Sequence, residues 1–283
     1  MRDWVLAARL RTLPAAIAPV LLGWSVCSDR QLLPAAMALL GAILIQIATN
    51  FANDYFDFIN GADTEARVGP TRATQAGLIT PASMRWAFIL TFALTLPIIA
   101  FLTMRGGVVI IAIGIASIIS GILYTGGPKP LGYMGLGDIF VLIFFGPIAV
   151  GGTEYVQSLH WSVDATVVGL ASGFISTAIL VVNNLRDKDT DAVVEKNTLA
   201  VRFGERFARV EYSLCLLIPF GISLYYAFQQ NIWILLSVLA FIPSIRSLQS
   251  MWTESGRALD PNLGQTAKIL ILYSIFFSIG WNL

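Results

Sequence analysis

The chain has 283 residues, of which 56% are hydrophobic and 12% charged, against roughly 25% charged in an ordinary soluble domain; a soluble chain so poor in charge cannot cover its own surface. A net charge of +1 leaves no basic excess for binding nucleic acid. Two cysteines, Cys27 and Cys215, and the single histidine His160 are too few for a disulfide framework, a zinc site or Ser-His-Asp chemistry.

Arg9 and Arg11 precede the first apolar run, but no A-x-A cleavage pattern stands at the end of that run. More apolar runs fill the rest of the chain, so the first reads as a retained membrane helix, not a signal peptide. A spanning helix needs about 20 mostly apolar residues. That ruler predicts nine, at 12–28, 33–52, 86–104, 107–123, 136–156, 165–182, 210–228, 231–250 and 267–282. Each is too long for a strand and is bounded by charge or by Gly/Pro signals such as Gly126-Gly127-Pro128. Pro14 and Pro19 imply a kinked first helix. The expected fold is all-α: a polytopic membrane protein of nine helices bundled around a central cavity, one domain over residues 1–283.

The N-terminus and the loops after helices two, four, six and eight carry sixteen of the 18 Lys and Arg residues, and the opposite side holds only Arg30 and Arg105. The positive-inside rule predicts that the N-terminus and those loops face the cytoplasm, with the protein in the cell inner (cytoplasmic) membrane. His160, Asp164 and Glu154 fall on the other side and read as solvated or snorkelled. The tryptophans, mostly near helix ends, read as an interfacial belt. Two cytoplasmic loops, near 53–85 and 183–209, are long and hold most of the acids; long polar loops are where function is sought.

The second helix ends in Asn53-Asp54-Tyr55-Phe56-Asp57, followed by Asp63. The sixth ends in Asn183-Asn184-Leu185-Arg186-Asp187, followed by Asp189 and Asp191. Asn53 and Asp57, Asn183 and Asp187, and Asp187 and Asp191 are each four residues apart, which places each pair on one helical face. The two motifs, and Arg72 with Arg202, share an offset of 130 residues. This suggests a pseudo-repeat of two four-helix units, about 12–123 and 136–250, with a ninth helix appended. Facing carboxylate clusters suit magnesium, a hard cation held by a few carboxylates together with substrate phosphates. Metals so held make a diphosphate a leaving group, and Arg67, Arg72, Lys129, Arg186 and Lys196 are placed to clamp its oxygens. The bland alternative, solvated loop acids paired with nearby bases, explains one cluster better than two matched ones.

At these residues the sequence resembles the UbiA superfamily of intramembrane aromatic prenyltransferases, over essentially the whole chain. Asn53, Asp54 and Asp57 match its Asn-Asp-x-x-Asp motif, and Asp187 and Asp191 its Asp-x-x-x-Asp motif. Gly61 stands where many members carry a further Asp, leaving Asp63 as the substitute. Tyr124-Thr125-Gly126-Gly127-Pro128-Lys129-Pro130 and the stretch Lys196 to Gly204 resemble the 1,4-dihydroxy-2-naphthoate polyprenyltransferase branch of menaquinone synthesis. Glu195 replaces that branch's usual Gly.

The resemblance implies magnesium on Asp54, Asp57, Asp63, Asp187 and Asp191, and orientation of the diphosphate or its metals by Asn53 and Asn184. It implies diphosphate contacts from Arg72, Lys129 and Arg186, with Tyr124 as hydroxyl donor and Lys129 or Lys196 facing the acceptor carboxylate. The implied partners are a polyprenyl diphosphate, an aromatic acceptor and the bilayer; no obligate protein partner is evident. Other acceptors (4-hydroxybenzoate, homogentisate, chlorophyllide, haem) remain open at this level, as does a secondary transporter with a duplicated fold.

Overall fold

The computed structural model describes residues 1–62 and 68–283, and among them there is no strand. The helices are α1 (Arg2–Ala8), α2 (Pro14–Val26), α3 (Leu32–Ile59), α4 (Pro81–Leu123), α5 (Gly137–Ile143), α6 (Ala149–Ser158), α7 (Val163–Arg186), α8 (Lys188–Val193), α9 (Leu199–Gln229), α10 (Phe241–Thr253) and α11 (Asp260–Asn282). A π-helical turn, Phe144–Ile148, joins α5 to α6, and a 3-10 segment, Ile232–Ala240, leads into α10. Among the described residues seven helical stretches are long and apolar enough to cross a membrane; Arg2–Thr12 and α2, bent by 48°, make an eighth if taken together.

The expected helices 86–104 and 107–123 form one 43-residue element, α4, that leaves helical geometry at Gly107 (φ 61°, ψ −149°). A straight helix of that length would extend about 65 Å, twice the roughly 30 Å of a hydrocarbon core. Glycine tolerates the left-handed φ without a Cβ clash, and α4 turns back on itself there. Ile99 of the first arm accordingly lies against Gly114 of the second. The count of nine rests on taking these arms as separate spans; length and apolarity alone give seven or eight.

Lipid removes most of the hydrophobic drive for helix association, so close packing has to supply it. Helix α7 is the central post, with Val168, Ala171, Ile175, Ala178 and Val182 fully buried. It lies so close to the π-turn that a Cβ added at Gly169 would sit 2.7 Å from the Cα of Pro147. Leu90, Leu94 and Leu96 of α4 are exposed, as suits a lipid-facing surface.

The two ends of the bundle differ in kind. At one, Arg30 donates to the carbonyls of Cys27 (3.1 Å) and Ser25 (2.9 Å) and to the Asn282 side chain, while Arg105 donates to the Val156 carbonyl (2.7 Å) and to that of Gln157. Glu154 and Asp164 belong to this end; Asp164 is half-exposed, whereas Glu154 is neither snorkelled nor in a loop. Glu154 is buried and its Oε2 accepts the Ser162 amide at 2.8 Å, while Asp164 accepts the Tyr226 hydroxyl at 2.8 Å. Both tie helix ends together, and for Glu154 burial requires such a partner. The opposite end gathers both acidic motifs.

Candidate active site

Helix α3 runs seven residues beyond its expected apolar stretch, so Asn53, Asp54 and Asp57 sit on helix, not in the following loop. The chain then folds back over that last turn. Ala73 is fully buried beside Ala48, Ala52 and Met84, and its amide and that of Thr74 donate to the two oxygens of Asp54 (3.1 and 2.9 Å). Arg72, next in the same segment, donates to Asp57 Oδ2 at 2.7 Å. Asn53 accepts the Thr125 hydroxyl at 2.9 Å. Asp54 and Asp57 are 1% and 3% exposed, burial that carboxylates tolerate only with such partners.

The second motif is built differently. Asp187 ends α7 and receives both Nε (2.8 Å) and a terminal nitrogen (2.6 Å) of its neighbour Arg186. Arg186 also donates to Asn183 (2.6 Å) and to Asp260 (3.0 Å) at the start of α11. Asp191 lies on α8 and pairs with Lys196 at 3.3 Å. Asp189, on the other face of α8, has a side chain 92% exposed.

Tyr133 joins the two motifs. Its hydroxyl donates to Asp57 Oδ1 at 3.0 Å, its carbonyl accepts the Asn197 amide at 3.0 Å, and Lys196 stands over its ring at 6.0 Å. The chain Asp57–Tyr133–Lys196–Asp191 therefore crosses from one motif to the other. Tyr124, at the end of α4, feels both: burial first, then Asp138, Asp57 and Asp191, push its phenol up, so it keeps its proton and can donate.

Below this layer opens a cavity of ≈ 960 Å³, at the upper end of the range for small-molecule sites. Of the residues singled out from sequence, Asn53, Asp57, Arg72, Tyr124, Asn184 and Lys196 line it. Asp54, Asp187, Asp191 and Arg186 stand behind that wall, tied to the partners above. Lys129 is exposed on the turn after α4 and does not line the cavity. Asp63 and Arg67 lie outside the described residues. Gly126 is packed against the Phe56 ring (2.8 Å from an added Cβ), so its small size serves helix contact and not ligand approach.

Sequence reasoning missed several residues. Arg9 lines the cavity at the break between α1 and α2 with a left-handed φ of 49°, strain of the kind that collects at functional sites. Asn50 donates to the Ala8 carbonyl (2.9 Å) and to Thr12 (3.0 Å), fixing that elbow. Asp260 also lines the cavity. A signal for Arg9 was available in its place just ahead of a helix with two prolines; Tyr133 and Asp260 had none, because their partners are distant in sequence.

Among the described residues, no three acidic, histidine or cysteine side chains converge enough to enclose a metal unaided. The donor set nevertheless fits magnesium shared with a phosphate ligand: oxygen-only, one or two carboxylates per motif, with Asp57 on the cavity wall and Asp187 and Asp191 behind it. Each of these three is already paired with a cation, Arg72, Arg186 or Lys196.

Residues 13–272 match the model of the UbiA prenyltransferase family. The chain is 37% identical to the 1,4-dihydroxy-2-naphthoate octaprenyltransferase of Haemophilus influenzae, over 99% of this chain and 96% of that one. It is also 37% identical to the protein of the same name from Mycobacterium tuberculosis, over 96% and 94%. Among solved structures, a UbiA homolog from Archaeoglobus fulgidus bound to Cd2+ superposes with a TM-score of 0.66 at 14% identity, covering 98% of this chain and 99% of that one. The structure of the A. fulgidus homolog bound to GPP and Mg2+ gives 0.64 at 16%, with the same coverage. The family match spans most of the chain and coincides with the helices that carry both acidic motifs and the cavity between them: the chain belongs to the UbiA prenyltransferase family.

Proposed function

We propose that this enzyme transfers a polyprenyl group from its diphosphate to 1,4-dihydroxy-2-naphthoate, releasing diphosphate and carbon dioxide and giving a demethylmenaquinol, the reduced form of demethylmenaquinone. The observation that carries the reading is the cavity itself. Its mouth is polar, with Asp57, Arg72 and Lys196, and its walls descend to Leu102, Ile110 and Val156 near the opposite end of the bundle. A diphosphate head with a long apolar tail has that shape and polarity. The acceptor is supported by the two 37% identical relatives that bear its name.

In this reading Asp57, Asp187 and Asp191 hold magnesium, and Asn53 and Asn184 orient the bound head group. Magnesium, when bound, neutralises diphosphate charge and improves it as a leaving group. Arg72 contacts diphosphate oxygens, and Tyr124, kept protonated, donates a further hydrogen bond. The allylic C–O bond breaks with its electron pair leaving on diphosphate. The naphthoate ring carbon bearing the carboxylate attacks the allylic cation, and the pair from the ring–carboxyl bond returns to the ring as carbon dioxide departs. Cavity walls such as Phe140, Phe144 and Ile148 keep water from the cation. Lys196 is the better-placed partner for the acceptor carboxylate, since Lys129 lies off the cavity. The motif end faces the cytoplasm in this reading, which the charge asymmetry supports.

The test is turnover by purified protein given a polyprenyl diphosphate, magnesium and either 1,4-dihydroxy-2-naphthoate or 4-hydroxybenzoate. A prenylated naphthoquinol with released carbon dioxide, lost on chelation and restored by magnesium, is expected. Prenylation of 4-hydroxybenzoate alone would keep the transfer and overturn the acceptor.

A further inference from the structure

A second pocket, of ≈ 370 Å³, lies between α10 and α11, lined by Ile242, Pro243, Arg246, Gln265 and Lys268. None of these residues takes part in the active site. Arg246 and Lys268 are exposed, and neither forms an ion pair or a side-chain hydrogen bond with any described residue. Ser247 donates to Gln265 Oε1 at 3.0 Å, which occupies the amide oxygen and leaves the amide nitrogen to donate. The pocket therefore offers a guanidinium, an ammonium and an amide N–H group, with no carboxylate to balance them. Everything else in it is apolar.

Its depth identifies the ligand class. Residues 232–245 and 269–281 carry no charge, so on both helices the pocket's cation is the first charge met from the far end. About 20 Å of uncharged helix separates Lys268 from that end, less than the roughly 30 Å of a hydrocarbon core. Both cations thus stand just inside the leaflet on the motif side, within snorkelling reach of its head groups. Ile242 is 68% exposed beside them, where an acyl chain would run. Charged residues at this depth either pair or serve a ligand, and these two have no protein partner among the described residues. Basic pockets between membrane helices on the cytoplasmic side suit anionic lipid head groups.

We propose that the groove between α10 and α11 binds the phosphodiester of one anionic phospholipid through Arg246, Lys268 and the Gln265 amide, with the acyl chain along Ile242 and Pro243. A zwitterionic lipid fits less well, because its ammonium group meets two like charges.

The experiment is native mass spectrometry of the detergent-purified protein titrated with phosphatidylglycerol or phosphatidylcholine. One phosphatidylglycerol is expected to be retained, about 30-fold more tightly than phosphatidylcholine, in proportion to two basic contacts. The Arg246→Gln/Lys268→Gln double variant should lose that preference, and the exchanged Arg246→Lys/Lys268→Arg variant should keep it. Prenyl transfer in detergent should not change in either. Equal retention of the two lipids by the wild type would overturn the proposal, as would an unchanged preference in the Gln variant. Displacement of phosphatidylglycerol by millimolar inorganic phosphate would also overturn it, since the site would then be one for soluble anions. The lipid comparison on the wild type decides the matter even if a variant fails to fold.

Discussion

The two acidic motifs share their spacing but not their surroundings. At the end of α3, Asp54 is spent on backbone amides, clasping the 72–74 segment onto the helix, while Asp57 alone reaches the cavity with Arg72 and Tyr133 as partners. At the end of α7, both Asp187 and Asp191 pair with side-chain cations, and Arg186 extends the knot to α11 through Asp260. The first motif thus divides its acids between building the site and lining it, whereas the second presents its acids through ion pairs. Sequence spacing treats these four acids as equivalent; their partners make them unequal.

That comparison ranks the substitutions. Asp57→Asn and Asp187→Asn should have the largest effect, lowering kcat/KM by about 10³-fold, as for removal of a central electrostatic group. Each should leave a folded protein by size-exclusion profile; wild-type turnover in either would remove the metal assignment. Asp54→Asn should act mainly on stability. Losing a charge-assisted bond to a backbone amide costs about 1.5–3 kcal/mol, visible as a lowered thermal midpoint, with a smaller kinetic loss than Asp57→Asn. An Asp54→Asn enzyme as inactive as Asp57→Asn but equally stable would return Asp54 to the metal ligands.

Tyr133→Phe comes next, with about a tenfold loss in kcat/KM for one hydrogen bond to a charged group. Because Tyr133 positions Asp57, the variant should also need more magnesium for half-maximal rate. An unchanged magnesium requirement would mean that Tyr133 serves only the fold. Asp189→Asn should change turnover by less than about twofold, since surface pairs such as Lys188–Asp189 contribute little. A loss comparable with Asp187→Asn would show that α8 rearranges on binding.

Sequence alone determined the membrane class, the approximate helices and the placing of both acidic motifs at one end of the bundle. Those properties rest on local quantities: apolar run length, the four-residue helical repeat and the distribution of positive charge. Tertiary structure decided what each polar residue does, because that depends on partners far along the chain. Tyr133 meets Asp57 across 76 residues and Arg186 meets Asp260 across 74, distances over which no periodicity carries information. The same holds at the far end, where Glu154 reads as snorkelled and Asp164 as solvated by position, yet Ser162 and Tyr226 bond to them. A charge can be located from its neighbours in sequence, but its work is set by what the fold brings within about 3 Å of it.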